Sequence, residues 1–326
     1  MKSSNVLPTA TWTTLAVCTA LLVQRDSRSE NAALDEISNA KVASKQKDRF
    51  TTSDLKLQLS DDFNKNYGPP DHFDLTRWHK WEGEARTEKG RGLLMTTSGK
   101  EVGMAGIITR KRQFNPGLAG SNGAEVTFVG FNDRGAPLKA PVKTVTTRLV
   151  QAPCLTLGSV RGQMGHGGEN SRAVQLHLDL IRPNGLFVYL VRGLVPEDFK
   201  KYPMDAYTPG GPEVANPTEQ RENHEQMVER GEVFVSGSTL SLRHKAYRSE
   251  EKIQEFLGRS RRWGLHLTDD ANTVFWTLDG EVMDRVDITG YFSSSPESVR
   301  DGAWLSISGV GVGDWKIDDV AIYANP

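Results

Sequence analysis

Cysteine is scarce: the 326-residue chain carries two, Cys18 and Cys154. They form no CxxC pair and belong to no Cys/His set with zinc-ligand spacing, which argues against a structural zinc site. Loss of the N-terminal run that holds Cys18 would leave Cys154 alone, with no intrachain disulfide. Charge of one sign is missing as well. Forty Lys and Arg against 41 Asp and Glu leave a formal charge of -1, so no basic surplus exists to neutralise a phosphate backbone and nucleic acid is not the expected partner. Long hydrophobic runs are absent beyond the extreme N-terminus, so the mature chain is expected to hold no stable membrane span.

The chain opens on Met1-Lys2 and reaches an apolar stretch from Leu15 to Val23. That order fits a signal peptide over residues 1–23 and places the protein outside the cell or in the periplasm. The other reading is an uncleaved N-terminus with one apolar patch. Residues 24–54 are charged and rich in Ser, Ala and Lys, the composition of a flexible spacer. The folded domain is expected over 55–326.

Within that domain the dominant pattern is alternation. Trp263, Leu265 and Leu267, then Val274, Trp276 and Leu278, then Val320 and Ile322 recur at every second position, the period of half-buried strands. Asp279-Gly280 sits between two such runs and is a strong hairpin signal. Further strands are expected at Leu55–Leu59, Ala105–Arg110, Ala124–Phe131, Thr144–Val150, Ala173–Ile181 and Leu186–Val191, with turn residues between them. Short strands without intervening helical periods predict an all-β, two-sheet antiparallel sandwich. An insertion at 195–232, rich in Pro and Gly, interrupts it. It ends in a mostly polar helix from about Pro217 to Arg230, started by Asn216, and reads as a solvated element or a lid. A second helix is expected from Glu250 to Leu257, capped by Ser249 and stopped by Gly258, with Ile253, Phe256 and Leu257 on its buried face.

Three short motifs together resemble the concanavalin A-like lectin/glucanase superfamily: Ser60-Asp61-Asp62-Phe63 followed by Leu75-Thr76-Arg77-Trp78, then Phe275-Trp276-Thr277-Leu278-Asp279-Gly280, and the ending Trp315-Lys316-Ile317-Asp318-Asp319-Val320-Ala321-Ile322-Tyr323. The resemblance spans about residues 55 to 325. It implies a jelly roll whose hollow face often holds carbohydrate, and it does not imply an enzyme. Glucanases of this shell carry two carboxylates about 5 to 5.5 Å apart. The matching Glu-x-Asp-x-x-Glu run does not occur here.

The expected function is therefore an extracellular carbohydrate-binding or adhesion module whose partner is a polysaccharide or glycan. Leu176, Leu178 and Leu180 share one face of their strand, which puts Gln175, His177 and Asp179 on the other. Gln-x-His on a sheet face resembles the motif of jelly-roll alginate lyases, where a late-strand Tyr completes the set. Tyr247 is the candidate here, so the alternative is a lyase using Gln175, His177 and Tyr247 on an acidic glycan, with a glycosidase less favoured. The plain reading is a solvated sheet face. His266 and Trp81 are further ligand-binding candidates, Trp81 because sugar rings stack on indole. Trp263 and Trp276 are expected in the core. No cofactor is expected beyond a structural Ca²⁺ that Asp62 and Asp319 would share if the first and last strands are neighbours. Turn capping is the competing role for both.

Overall fold

The computed structural model describes residues 48–50, 55–69, 73–82, 84–87, 92–96, 103–111, 122–128, 149–158, 172–181, 185–202, 226–236, 239–268, 271–293, 304–311 and 314–324. In chain order the elements are β1 (Lys56–Asp61), β2 (Trp78–Glu82), β3 (Glu84–Thr87), β4 (Leu93–Thr96), β5 (Gly103–Thr109), β6 (Asn122–Phe128), β7 (Leu149–Gly158), β8 (Ala173–Ile181) and β9 (Gly185–Gly193). They continue with α1 (Pro196–Lys201), β10 (Val235–Ser236), β11 (Thr239–Tyr247), α2 (Glu250–Leu257), β12 (Arg261–Leu267), β13 (Thr273–Leu278), β14 (Glu281–Asp287), β15 (Trp304–Gly311) and β16 (Asp314–Ala324).

Two antiparallel sheets result. Sheet A runs β14-β13-β12-β6-β16-β4-β3, with β1 also on β16. Sheet B runs β10-β11-β9-β8-β7-β15-β5-β2. The expected all-β antiparallel sandwich is what forms. The last strand is long enough to serve two partners on one edge: its first half pairs with β4 and its second half with β1. Asp279 and Gly280 both have positive φ, 51° and 80°, the mirror-image turn that joins β13 to β14 without splaying them.

The core lies between the sheets and follows the alternation. Trp263, Leu265 and Leu267 of β12 meet Val174, Leu176 and Leu178 of β8 and Leu186, Val188 and Leu190 of β9 in one cluster. Trp263 and Trp276 are buried and stack at 5.6 Å between ring centroids. On β16 the parity changes: Ile317, Val320 and Ile322 all reach the core because the ladder slips by one residue between Ile317 and Asp319. Helix α2 forms where expected. Ser249 accepts from the Lys252 backbone N–H at 3.2 Å, Gly258 ends the helix, and buried Ile253 and Phe256 join the core.

Several boundaries differ from the sequence expectation. The compact unit begins at Arg49 rather than at residue 55. Arg49 bridges to Glu281 and the Phe50 N–H donates to the Gly280 carbonyl at 3.0 Å, so these two residues extend sheet A rather than a spacer. The signal segment and most of the spacer lie outside the described residues. Of the strand expected at Thr144–Val150, Leu149 and Val150 open β7 and residues 144–148 lie outside the described residues; β11 and β15 were not anticipated. In the insertion, residues 226–230 are helical and 203–225 lie outside the described residues. Among the described residues no helix is long and apolar enough to cross a membrane.

Trp263→Ala should cost about 3 to 5 kcal/mol of unfolding free energy in urea titration, the usual price of emptying a large aromatic site. Leu57→Ala, at a side chain half exposed on β1, should stay within about 0.5 kcal/mol of the parent.

Candidate functional site

The outer face of sheet B gathers most of the polar chemistry. With Val174, Leu176 and Leu178 of β8 turned to the core, Gln175 and His177 project to the other side. His177 is half-buried and its Nε2 donates to the Gln175 amide oxygen. The amide nitrogen of Gln175 is buried and meets no acceptor. Register places this pair among further polar groups. Thr156 of β7 lies opposite Gln175, and Ser306 of β15 lies opposite Thr156. Ser308 follows, opposite Cys154. Gln175 and Ser308 are 0% exposed, Thr156 2% and Ser306 3%. The hydroxyls of Ser306 and Ser308 also meet no hydrogen-bond partner. Sequence reading found Gln175 and His177 but missed the two serines. Their signal was the alternation Leu305-Ser306-Ile307-Ser308.

The flank on β9 and β11 is roofed. Phe187, Tyr189 and Val191 point outward from β9 and pack under Val228 and Phe234. Tyr189 meets Phe234 edge-on at 6.0 Å. The Ser241 N–H donates to the Phe234 carbonyl, and Ser241 Oγ accepts from the Phe234 N–H, both at 3.0 Å. This segment was expected to be a solvated element or a lid. At its described end Val228 and Phe234 cover β9 while Glu229 to Val233 are exposed. His244, opposite Tyr189 in the ladder, lies 5.4 Å from the Phe234 ring. Burial pushes its pKa down, Arg243 adds to this, and the Val228 backbone carbonyl opposes it.

The other expected site residues do not join this face. Tyr247 turns inward, its ring 4.5 Å from Phe256 and against the core cluster. Burial, then Asp284 and Glu255, raises its phenol to about 12. Gln175, His177 and Tyr247 therefore lie on opposite sides of sheet B and form no triad. His266 belongs to sheet A. It is fully buried, 4.4 Å from the Phe50 ring and stacked on Phe275 at 5.0 Å, with Nε2 3.2 Å from Thr277 Oγ1. Gly264 makes room for it, since a Cβ there would fall 2.3 Å from both His266 Nε2 and Thr277 Oγ1. Trp81 lies in β2, and its side chain, like that of Asp179 in β8, is outside the described residues.

Asp62 and Asp319 lie just beyond the last pair of the β1–β16 ladder, Asp61 with Val320. Each is engaged locally. Asp62 Oδ1 accepts from the Asn64 N–H at 3.1 Å, and Arg262 donates to Asp319 Oδ1 at 3.1 Å. The hydrogen bonds from Asn64 hold the Asp62 carboxyl below its usual range. Among the described residues no three His, Cys, Asp or Glu side chains converge as metal ligands.

A cavity of about 890 Å³ opens at the rim, between α1, the start of β11 and the turn after β14. The buried part of its polar wall is paired within the protein. Arg192 grips Asp198 through two bonds of 2.6 and 2.7 Å, and Asp198 also takes the Val195 N–H at 2.8 Å. Burial works against the Asp198 charge, but the Arg192 and Val195 hydrogen bonds leave its pKa lowered. The Arg192 and Arg172 guanidiniums lie 5.1 and 5.5 Å from the Tyr291 ring centroid. The Tyr291 hydroxyl donates to the Ala173 carbonyl and accepts from the Ala173 N–H, both at 3.0 Å. Burial is the main cause that raises its pKa to about 12. The arrangement clamps α1 and the turn after β14 onto the ends of β8 and β9.

No protein-family model and no curated protein matches the chain. Solved structures do. The carbohydrate recognition domain of Emp47p is 13% identical, covering 84% of this chain and 98% of its own, with a TM-score of 0.44. The catalytic domain of an endo-1,3-beta-glucanase (laminarinase) from Thermotoga petrophila RKU-1 is 15% identical over 83% and 98%, with a TM-score of 0.44. An endo-1,3-beta-glucanase from Streptomyces sioyaensis is 11% identical over 85% and 99%, with a TM-score of 0.47. These neighbours are a carbohydrate recognition domain and two glucanases. The sandwich itself is read from this chain's own strand order.

Burial, with Arg285 adding, lowers the His266 pKa to about 3, against about 6.5 in an unfolded chain. A depressed folded value means its contribution to stability is complete above about pH 6.5 and is lost as pH falls towards about 3. His266→Gln removes that titration. Unfolding free energy measured by urea titration between about pH 6.5 and pH 4 should fall less steeply in the variant than in the parent.

Proposed function

We propose that this chain is a non-catalytic carbohydrate-binding module that contacts its glycan on the outer face of sheet B through His177 and Gln175. The observation that carries this reading is the Gln175 amide, buried with its nitrogen unmatched directly behind half-buried His177. A buried donor without an acceptor costs about 1 to 3 kcal/mol. A ligand oxygen reaching past His177 removes that cost, and sugars present hydroxyl oxygens densely.

Binding without turnover is the better supported form of the proposal. The sequence has no paired-acid run for hydrolysis, and Tyr247 faces the core rather than His177. Tyr189 does lie beside His177 in the ladder, but Phe234 covers it. Export is part of the same proposal and rests on the apolar stretch from Leu15 to Val23.

Glycan arrays and polysaccharide pull-downs with the full chain should find a saccharide ligand, with no product formed. His177→Ala and Gln175→Ala should each weaken binding about tenfold, the loss of roughly 1.4 kcal/mol. Failure to bind any glycan, or loss-free binding by both variants, refutes the assignment. Appearance of the ultraviolet-absorbing double bond of β-elimination on uronate polymers would replace it with the lyase reading.

A further inference from the structure

The polar strip extends beyond the Gln175–His177 pair, and its composition restricts what it takes. Resting on the carbohydrate-binding reading above, we infer that Ser306 and Ser308 are ligand contacts and that the ligand is a neutral oligosaccharide. Three groups carry this: Gln175 Nε2, Ser306 Oγ and Ser308 Oγ, each buried and each without a hydrogen-bond partner. They stand on β8 and β15, with β7 between. Most buried polar groups in native proteins find a partner; three unmatched within one strip of one face are hydrogen bonds left for a ligand's oxygens and hydroxyls to complete.

The span is set by the ladder. From Gln175 across Thr156 to Ser306 is two strand steps of about 4.8 Å, roughly 10 Å in all, the length of a disaccharide. Serine hydroxyls both donate and accept, and the amide nitrogen donates, which matches sugar hydroxyls of either sense. His177, the half-buried member, marks the side from which the ligand enters.

The lack of Lys and Arg on these three strands points to the class. β7, β8 and β15 contain no Lys or Arg, and Asp179 is their one acidic residue. A uronate or sulfated chain would place its charge beside three strands that supply no Lys or Arg counter-charge. The cation on the far flank, Arg248, lies 4.9 Å from the Phe187 ring centroid and is paired with Glu229. Neutral hydroxyls bear no such penalty.

The test is titration calorimetry of the full chain with neutral gluco-, manno- and galacto-oligosaccharides and with uronate oligosaccharides of matched length. A neutral series should bind and the uronates should bind at least tenfold more weakly. Ser306→Ala and Ser308→Ala should each lower affinity about tenfold. The unliganded variants should melt at the same temperature as the parent or a few degrees higher, because an unmatched buried hydroxyl is removed. A merely structural role for the serines predicts the reverse, a lower melting temperature with affinity unchanged. Neutral binding unaffected by both substitutions, or uronates binding more tightly, overturns this inference while leaving the carbohydrate-binding reading in place. Binding of no saccharide by the parent chain ends both.

Discussion

A β-strand sends successive side chains to opposite faces, so parity decides what every residue of this chain can do. Leu176 and Leu178 go to the core only because Gln175 and His177 go the other way. Parity is also where the chain makes its adjustments. Without the slip between Ile317 and Asp319, Val320 and Ile322 would leave the core that Ile317 enters. Without the slip between Ser241 and Arg243, Tyr247 would share the outer face with His177. That second bulge sends His244 and Ala246 outward and tucks Tyr247 against Phe256. One inserted residue separates an arrangement that resembles a lyase from one that does not.

The outer face of sheet B is divided by the same rule. On β9 the outward side chains Phe187, Tyr189 and Val191 present mainly apolar surface, and Val228 and Phe234 cover it. On β8, β7 and β15 the outward residues are Gln175, Thr156, Ser306 and Ser308, which an apolar cover would not satisfy. The described cap lies on the apolar side and leaves the polar strip unmatched. Hydrophobic burial and hydrogen-bond satisfaction thus act on adjacent strands of one sheet with opposite results.

How much of this was legible follows from the range of each interaction. Alternation, the Asp279-Gly280 turn, the Ser249 cap of α2 and the burial of Trp263 and Trp276 depend on neighbours in sequence, and all were readable. The pairing of β1 with β16 was anticipated from the jelly-roll resemblance. β9 was recognised as a strand, but its near-continuous apolar run, Leu186 to Val191, also announced burial on both faces, and that signal was not used. The sheet to which His266 belongs depends on strand order, which no local pattern encodes. Phe50 lay in a stretch whose composition reads as spacer, and only the closure of the fold shows that its ring covers His266.

The two best-formed concentrations of polar groups differ in a way that explains why one is read as a site and the other as a joint. At the rim, Arg192 pairs with Asp198, Asp198 with the Val195 N–H, and the Tyr291 hydroxyl with both backbone groups of Ala173. Such reciprocity releases its free energy on folding and leaves little for a ligand to gain, however roomy the cavity beside it. On the outer face of sheet B the accounts do not close, since Gln175 Nε2 and the two serine hydroxyls remain buried and unmatched. A ligand binds where it completes hydrogen bonds that folding left incomplete. By that criterion the strip on sheet B outranks the rim cavity, because recognition depends on unmet hydrogen bonds more than on enclosed volume.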